Sequence, residues 1–160
     1  MGVTQVKRCE PVISHILVPL DGSEQSERAL ETASSVAEAY GGARVTLLAV
    51  MIRYPESRIH VPKLDEHSED LGKGYLKDLC SRHTRTFPVA TKVRLGVPAD
   101  EILAEARESL VDLIVMSTHG TAGVERDKHS IGSTAWRVLH DAPCPILLVP
   151  VAAPGGGGGR

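Results

Sequence analysis

The chain alternates short apolar runs with longer segments whose apolar residues recur every three or four positions. The apolar runs are His15–Leu20, Val45–Met51, Phe87–Leu95, Leu113–Met116 and Ile146–Val149. Runs of this length predict five β-strands, and the segments between them have the spacing of amphipathic α-helices. Strands that alternate with helices are typical of an α/β fold, with an open, doubly wound parallel sheet and helices on both of its faces.

The composition of the runs also predicts their order in the sheet. The runs around Ile16, Leu47 and Ile114 are apolar almost throughout, as expected for strands that are buried on both faces. The run around Val93 alternates apolar with charged residues, which predicts an edge strand with one face in water. The order 3-2-1-4-5 fits, and it places strands 1 and 4 side by side. In such sheets ligands bind at the carboxyl ends of the strands at this switch point.

Local signals set the expected ends of the helices. Ser23 is a candidate N-cap for the first helix, and the helical spacing predicts buried faces that reach Tyr40, Leu110 and Leu139 in the first, third and fourth helices. Pro55 and Pro62 predict an irregular stretch over residues 52–64.

The stretch DLIVMSTHGTAGVERDKHSIGS, residues 112–133, contains the main candidate for a binding site. A buried strand is followed by a loop with Gly120 and Gly123, and Gly132-Ser133 then leads into the fourth helix. Glycines let the backbone approach an anion, and the N–H groups of a first helical turn point at it, so the pattern predicts phosphate binding. The alternative is an ordinary glycine-containing connection that binds nothing.

Length, charge and cysteine spacing exclude several classes. We expect 160 residues to form one domain over 14–151, preceded by an extension at 1–13 and followed by a disordered glycine-rich tail at 152–160. A formal net charge of −2 gives no reason to expect nucleic acid, and no apolar run reaches the length of a membrane span. The three widely spaced cysteines and the scattered histidines show neither a disulfide framework nor metal-ligand spacing. We expect a cytoplasmic protein.

Five segments in collinear order resemble the universal stress protein family over residues 14–150. They are HILVPLDGSEQSERAL, VTLLAV, GVPADEI, DLIVMSTHG and GSTAWRVLHDAPCPILLVP. The resemblance implies ATP binding, with or without Mg²⁺. Members that bind nucleotide carry Gly, two residues, Gly, nine residues, then Gly-Ser or Gly-Thr. Here Ser117 replaces the first glycine, and eleven residues separate Gly120 from Gly132.

The resemblance also implies roles for individual residues. The residues that it implies at the phosphates are Ser117, Gly120, Gly132, Ser133 and Thr134. His119 and Gly123 of the same loop are further candidates for the binding site. The residues expected around the adenosine are Pro19, Leu20, Asp21, Val50 and Val97. Two of these keep an alternative interpretation: Asp21 as a structural turn residue, and His119 as a side chain that only packs in its turn.

The expected function is that of a homodimeric regulatory module whose nucleotide occupancy signals to a protein partner. No activated nucleophile or positioned base accompanies the loop, so we expect at most slow ATP hydrolysis. The apolar run Ile146–Val149 would lie at an uncovered sheet edge, which predicts pairing with a second copy. One alternative is a stress protein that binds no nucleotide because of its longer loop and acts through its dimer surface. The other is an ATP-pyrophosphatase, which needs a Ser-Gly-Gly-x-Asp-Ser type of loop that Asp21-Gly22-Ser23 does not provide.

Overall fold

The computed structural model describes residues 13–52, 62–82, 87–120 and 131–150, with side chains from residue 67 onward in the second range. Within these ranges the chain forms five strands and four helices in the predicted alternation. The elements are β1 (His15–Leu20), α1 (Glu24–Ala39), β2 (Arg44–Ile52), α2 (Pro62–Arg82), β3 (Val89–Gly96), α3 (Pro98–Glu108), β4 (Leu113–Ser117), α4 (Ser133–Asp141) and β5 (Ile146–Val149).

The predicted strand order is confirmed: the sheet runs β3-β2-β1-β4-β5, and each neighbouring pair is parallel. Alternate residues of each central strand face opposite sides. Val18 belongs to the core under α1 and α2, whereas Leu17 belongs to the core under α3 and α4. The topology therefore places the carboxyl ends of β1 and β4 next to each other, with helices of both layers beside them.

The predicted cap of α1 is confirmed, but the burial of its last apolar residue is not. The Ser23 hydroxyl accepts a hydrogen bond from the Ser26 N–H at 3.1 Å. The helix ends at Ala39, and Tyr40 is 46 % exposed. The chain leaves the helical path there through Gly41 and Gly42, whose positive φ angles only glycine adopts readily.

Two further expected core residues are also exposed. Leu110 lies beyond the end of α3 with a φ of 50°, and its side chain is 82 % exposed. The Val111 N–H reaches back to the Ala106 carbonyl at 3.0 Å, so Leu110 occupies the left-handed position that terminates a helix, and Val111 is buried instead. Leu139 is exposed because the buried side of α4 is formed by Ala135 and Val138.

The bounds predicted for an irregular stretch at residues 52–64 are wrong at both ends. β2 continues to Ile52, and α2 already begins at Pro62. Proline at the start of a helix is well tolerated, because the N–H that it lacks would have no partner there. Pro55 lies outside the described residues.

β3 is an edge strand as predicted, but its second face is not simply solvated. Lys92 and Arg94 on that face contact the carboxylate of Glu105 on α3 at 2.7 and 2.8 Å. Glu105 is only 1 % exposed. Burial alone would raise the pKa of Glu105, but hydrogen bonds from Lys92, Ser109 and Arg94 hold the pKa below its usual value. An ion-pair network therefore joins α3 to this edge of the sheet.

Candidate functional site

A cavity of about 960 Å³ lies at the carboxyl ends of the central strands, where β1 and β4 are neighbours. This volume is at the upper end of what small-molecule sites occupy. The predicted binding residues that line it are Pro19, Leu20, Asp21, Val50, Ser117, His119, Gly120, Gly132, Ser133 and Thr134. The two segments selected from the sequence therefore do converge on one crevice.

Two of the predicted residues are not among those that line the cavity. Val97 is the N-cap of α3 and is 44 % exposed, and the neighbouring Pro98 lines the cavity instead. Gly123 lies outside the described residues, as does the charged segment 124–130 that precedes Ile131.

Asp21 acts as a turn residue and also lies against the glycine loop. Its Oδ1 accepts hydrogen bonds from the Ser23 N–H at 3.1 Å and from the Ser23 hydroxyl at 2.6 Å. A methyl group placed on Gly120 would lie 2.0 Å from the other carboxylate oxygen of Asp21. The φ of Gly120 is not positive. A side chain at position 120 would therefore require the Asp21 carboxylate to move, whereas the backbone conformation itself does not require glycine.

The serine at the first glycine position of the family pattern fits without backbone strain. Leu110 is the sole non-glycine residue with a positive φ in the described part of the chain, so Ser117 lies in an ordinary region. The Ser117 hydroxyl donates to the His119 carbonyl at 2.7 Å. The serine therefore braces the turn that leads into Gly120.

A backbone hydrogen bond closes the base of the loop. The Gly132 N–H donates to the Thr118 carbonyl at 2.8 Å. A Cβ at Gly132 would lie 3.2 Å from that same carbonyl oxygen, a tight contact. The two ends of the loop thus meet although eleven residues separate Gly120 from Gly132. The longer connection has not moved Gly132 and Ser133 away from the cavity.

The start of α4 offers hydrogen-bond donors to the cavity. Gly132 is the N-cap and has no side chain that could accept from the first turn. The N–H groups of Ser133, Thr134 and Ala135 have no intrahelical acceptor by helix geometry, and these three residues line the cavity. Such a helix end attracts an anion through its donors and its dipole.

The wall formed by α2 was missed by sequence reasoning. Leu71, Gly72 and Tyr75 all line the cavity, although none of them was among the predicted site residues. The Tyr75 hydroxyl donates to Glu27 Oε1 at 3.3 Å. Burial, and after it the nearby carboxylate of Glu27, raises the pKa of Tyr75 to about 12. Leu71 and Tyr75 are four residues apart and share one helix face, but this spacing does not distinguish a face beside a cavity from a face in the core.

The described residues were also searched for metal-binding groups and for membrane-spanning helices. They contain no group of three or more His, Cys, Asp or Glu side chains that could hold a metal ion. None of the described helices is both long enough and apolar enough to cross a membrane.

Comparison with known proteins gives consistent results for sequence and structure. The model of the universal stress protein family matches residues 13–150. A universal stress protein of Methanocaldococcus jannaschii is 29 % identical over 151 residues, covering 90 % of this chain and 86 % of that protein. The structure of the universal stress protein UspA from Lactobacillus plantarum is 28 % identical, with a TM-score of 0.70 over 86 % of this chain and 97 % of that one.

Two more distant structures contain nucleotides. An Arabidopsis thaliana family protein with AMP bound has a TM-score of 0.63 and 16 % identity, over 88 % of this chain and 93 % of that one. A universal stress protein in complex with cAMP has a TM-score of 0.62 and 20 % identity, over 86 % of this chain and 97 % of that one. At these identities the two structures support the fold.

Proposed function

Because the chain belongs to the universal stress protein family, we propose that it is a regulatory protein that binds ATP or a related adenine nucleotide in the cavity between β1 and β4. The observation that carries the proposal is the convergence of Asp21, Gly120 and the uncapped start of α4 on one cavity. Family members of this fold have been solved with AMP and with cAMP.

The polar end of the cavity suits the phosphates. Ser133 and Thr134 offer backbone N–H groups and hydroxyls, and Gly120 offers close approach to the backbone. Each hydrogen bond to a charged phosphate oxygen contributes about 1.5–3 kcal/mol, so a few correctly placed donors suffice for useful affinity.

Asp21 suits the ribose. A carboxylate accepts hydrogen bonds from ribose hydroxyls, as it does in dinucleotide-binding folds with the same switch-point geometry. Ser23 holds one oxygen of Asp21, and the other oxygen lies against Gly120, so the carboxylate is fixed at the junction between β1 and the loop after β4. A fixed acceptor loses little conformational freedom when the ligand binds.

The experiment has two parts. Purified protein is denatured, and the released small molecules are separated by chromatography, where we expect an adenine nucleotide. ATP is then titrated calorimetrically, with and without MgCl₂, into wild type and Gly132→Trp. We expect binding by wild type and its loss in Gly132→Trp, because the tryptophan would displace the closed base of the loop. The absence of both co-purified and titratable nucleotide at millimolar ATP would contradict the proposal.

A matched control is available on α2. Gly74 is exposed, has open space around its Cβ position and does not line the cavity, so Gly74→Trp introduces the same side chain without blocking the site. We expect it to bind ATP as wild type does. In the same samples we expect phosphate or pyrophosphate release to be slow or undetectable.

The exposed edge strand favours a second function, self-association, which would also serve if no nucleotide binds. In the described part of the sheet β5 pairs only with β4, and Leu147 at this edge is partly exposed. We propose a homodimer through Ile146–Val149. Light scattering should give a dimer for wild type and a monomer for Leu147→Lys, with Thr91→Lys on the opposite edge strand as the control. A monomeric wild type at micromolar concentration would contradict this proposal.

A further inference from the structure

Helix α4 carries two large apolar side chains that are exposed to water. Trp136 is 61 % exposed and Leu139 is 43 % exposed. They are three residues apart, so they are neighbours on one side of the helix. Together they form the α4 patch, in which the indole ring alone leaves roughly 100 Å² or more of its surface in water. Trp136 is also the single tryptophan of the chain.

The α4 patch lies on the side of the helix that is next to the β5 edge. Ala135 and Val138 are buried and pack against the sheet. Arg137 forms an ion pair with Asp100, so this side of α4 faces α3. Successive residues of an α-helix are rotated by about 100°, which places the α4 patch on the side that faces away from α3. Because α3 contacts β2 and β3, whereas α4 crosses over from β4 to β5, that side is beside the outer edge of β5.

Pairing of β5 with a second copy would bring two α4 patches together. Two identical edge strands that pair in antiparallel fashion are related by a two-fold axis perpendicular to the sheet. Rotation about this axis keeps each helix layer on its own side of the sheet, so α4 of one protomer meets α4 of its partner. An α4 that lies above the midpoint of β4 and β5 is then about 10 Å from its copy, since neighbouring strands are about 4.8 Å apart. Packed helices are about 8–10 Å apart, so the two helices would be in contact.

A contact through β5 alone would be too small for a stable dimer. This strand has four residues, Ile146–Val149. Stable interfaces contain about 20–30 residues on each partner, so four residues supply roughly a fifth of what is needed, or less. The α4 patch adds apolar surface beside the same edge, and tryptophan is enriched among the residues that contribute most to binding.

We propose that the α4 patch is the second part of the homodimer interface, with Trp136 of one protomer packed against Leu139 of the partner subunit. The two residues lie on either side of the midpoint of α4, so a two-fold axis near that midpoint forms this contact twice. The inference rests on the proposed pairing through Ile146–Val149 and extends the interface from the sheet edge to the helix layer.

Because the chain has a single tryptophan, its fluorescence reports on Trp136 alone. The full chain is diluted stepwise and followed by fluorescence and by light scattering. We expect the emission maximum to lie at shorter wavelength in the dimer than in the dilute monomer, with both signals changing over the same concentration range. A dimer that keeps the long-wavelength emission of an exposed ring would overturn the role of the α4 patch and leave the pairing of β5 intact.

Short-wavelength emission that persists in the monomer would also overturn the inference, because another segment of the same chain would then cover the ring. A wild type that is monomeric at micromolar concentration would overturn the proposed homodimer and this inference with it.

Substitution of the ring gives an independent measurement. We expect Trp136→Ala to weaken dimerisation about thirtyfold or more in light scattering, as for a residue that dominates an interface. Tyr40→Ala is the matched control, since Tyr40 is a 46 % exposed aromatic residue at the end of α1, in the other helix layer. We expect it to dimerise as wild type does. Equal dissociation constants for Trp136→Ala and Tyr40→Ala would place the tryptophan ring outside the interface.

Discussion

Replacing Gly120 by alanine tests the packing on which the candidate site depends. The added methyl group would lie 2.0 Å from Asp21 Oδ2, far inside contact distance, so the carboxylate must turn away. It would then give up the hydrogen bonds from the Ser23 N–H and hydroxyl. Because the Ser23 hydroxyl also caps α1, the disturbance reaches the helix start.

The expected loss of stability follows from these two hydrogen bonds. Two hydrogen bonds to a carboxylate are worth up to about 1.5–3 kcal/mol each, but Asp21 is exposed, and water replaces much of what is lost. We therefore expect the free energy of unfolding to fall by about 1–2 kcal/mol. Gly74→Ala is the matched control, since it adds the same atom in open space on a helix and should raise the free energy of unfolding by about 1 kcal/mol.

Urea unfolding of the two variants measures the difference. The transition midpoints should move in opposite directions from wild type while the slopes stay equal, since neither change alters the surface exposed on unfolding. If Gly120→Ala were as stable as Gly74→Ala, Asp21 would not lie against Gly120. The proposed contact between Asp21 and the loop after β4 would then be wrong.

Three further predictions concern the scaffold. Leu110→Gly should raise the free energy of unfolding by about 1 kcal/mol in a urea titration, because Leu110 is exposed and glycine relieves its left-handed backbone; a lower midpoint would contradict this. Glu105→Ala should lower the free energy of unfolding by about 2–3 kcal/mol, which is less than for an isolated buried pair because Arg94 keeps its ion pair with Glu101. An unchanged free energy of unfolding would show that the ion-pair network contributes nothing to stability. His15 has a pKa lowered by burial, so its protonation favours unfolding, and stability should fall below pH 6.5 by at most about 1.4 kcal/mol per pH unit. Urea midpoints at pH 7.5 and 5.5 should differ less in His15→Gln than in wild type. Equal midpoint differences in the two proteins would show that His15 does not cause this pH dependence.

The pattern of apolar residues was enough to predict the sheet, because a strand is apolar on each face that is buried. β1 is apolar throughout and lies at the centre, and β3 alternates and lies at an edge. The pattern failed where a residue closes a helix. Leu110 continues the apolar spacing of α3, yet the backbone has already left the helix at Ser109.

The predicted residues that line the cavity either follow the end of a strand or lead into α4. Asp21 directly follows β1, and Gly120 is the third residue after β4, so parallel topology alone brings them to the same end of the sheet. The contribution of α2 could not be predicted in the same way. Tyr75 packs against the core and also lines the cavity. The position of α2 depends on the close approach of Gly72 to Val93, and that distance is set by tertiary packing.

Nucleotide binding in the cavity can be observed directly by titrating isotope-labelled protein with ATP and recording two-dimensional amide NMR spectra. We predict saturable shifts of the amide signals of Gly120, Ser133 and Thr134, which line the cavity, whereas Gly41 and Gly42 at the opposite end of the sheet stay unchanged. Unchanged cavity signals at millimolar ATP, or shifts confined to residues outside the cavity, would show that this crevice does not hold an adenine nucleotide.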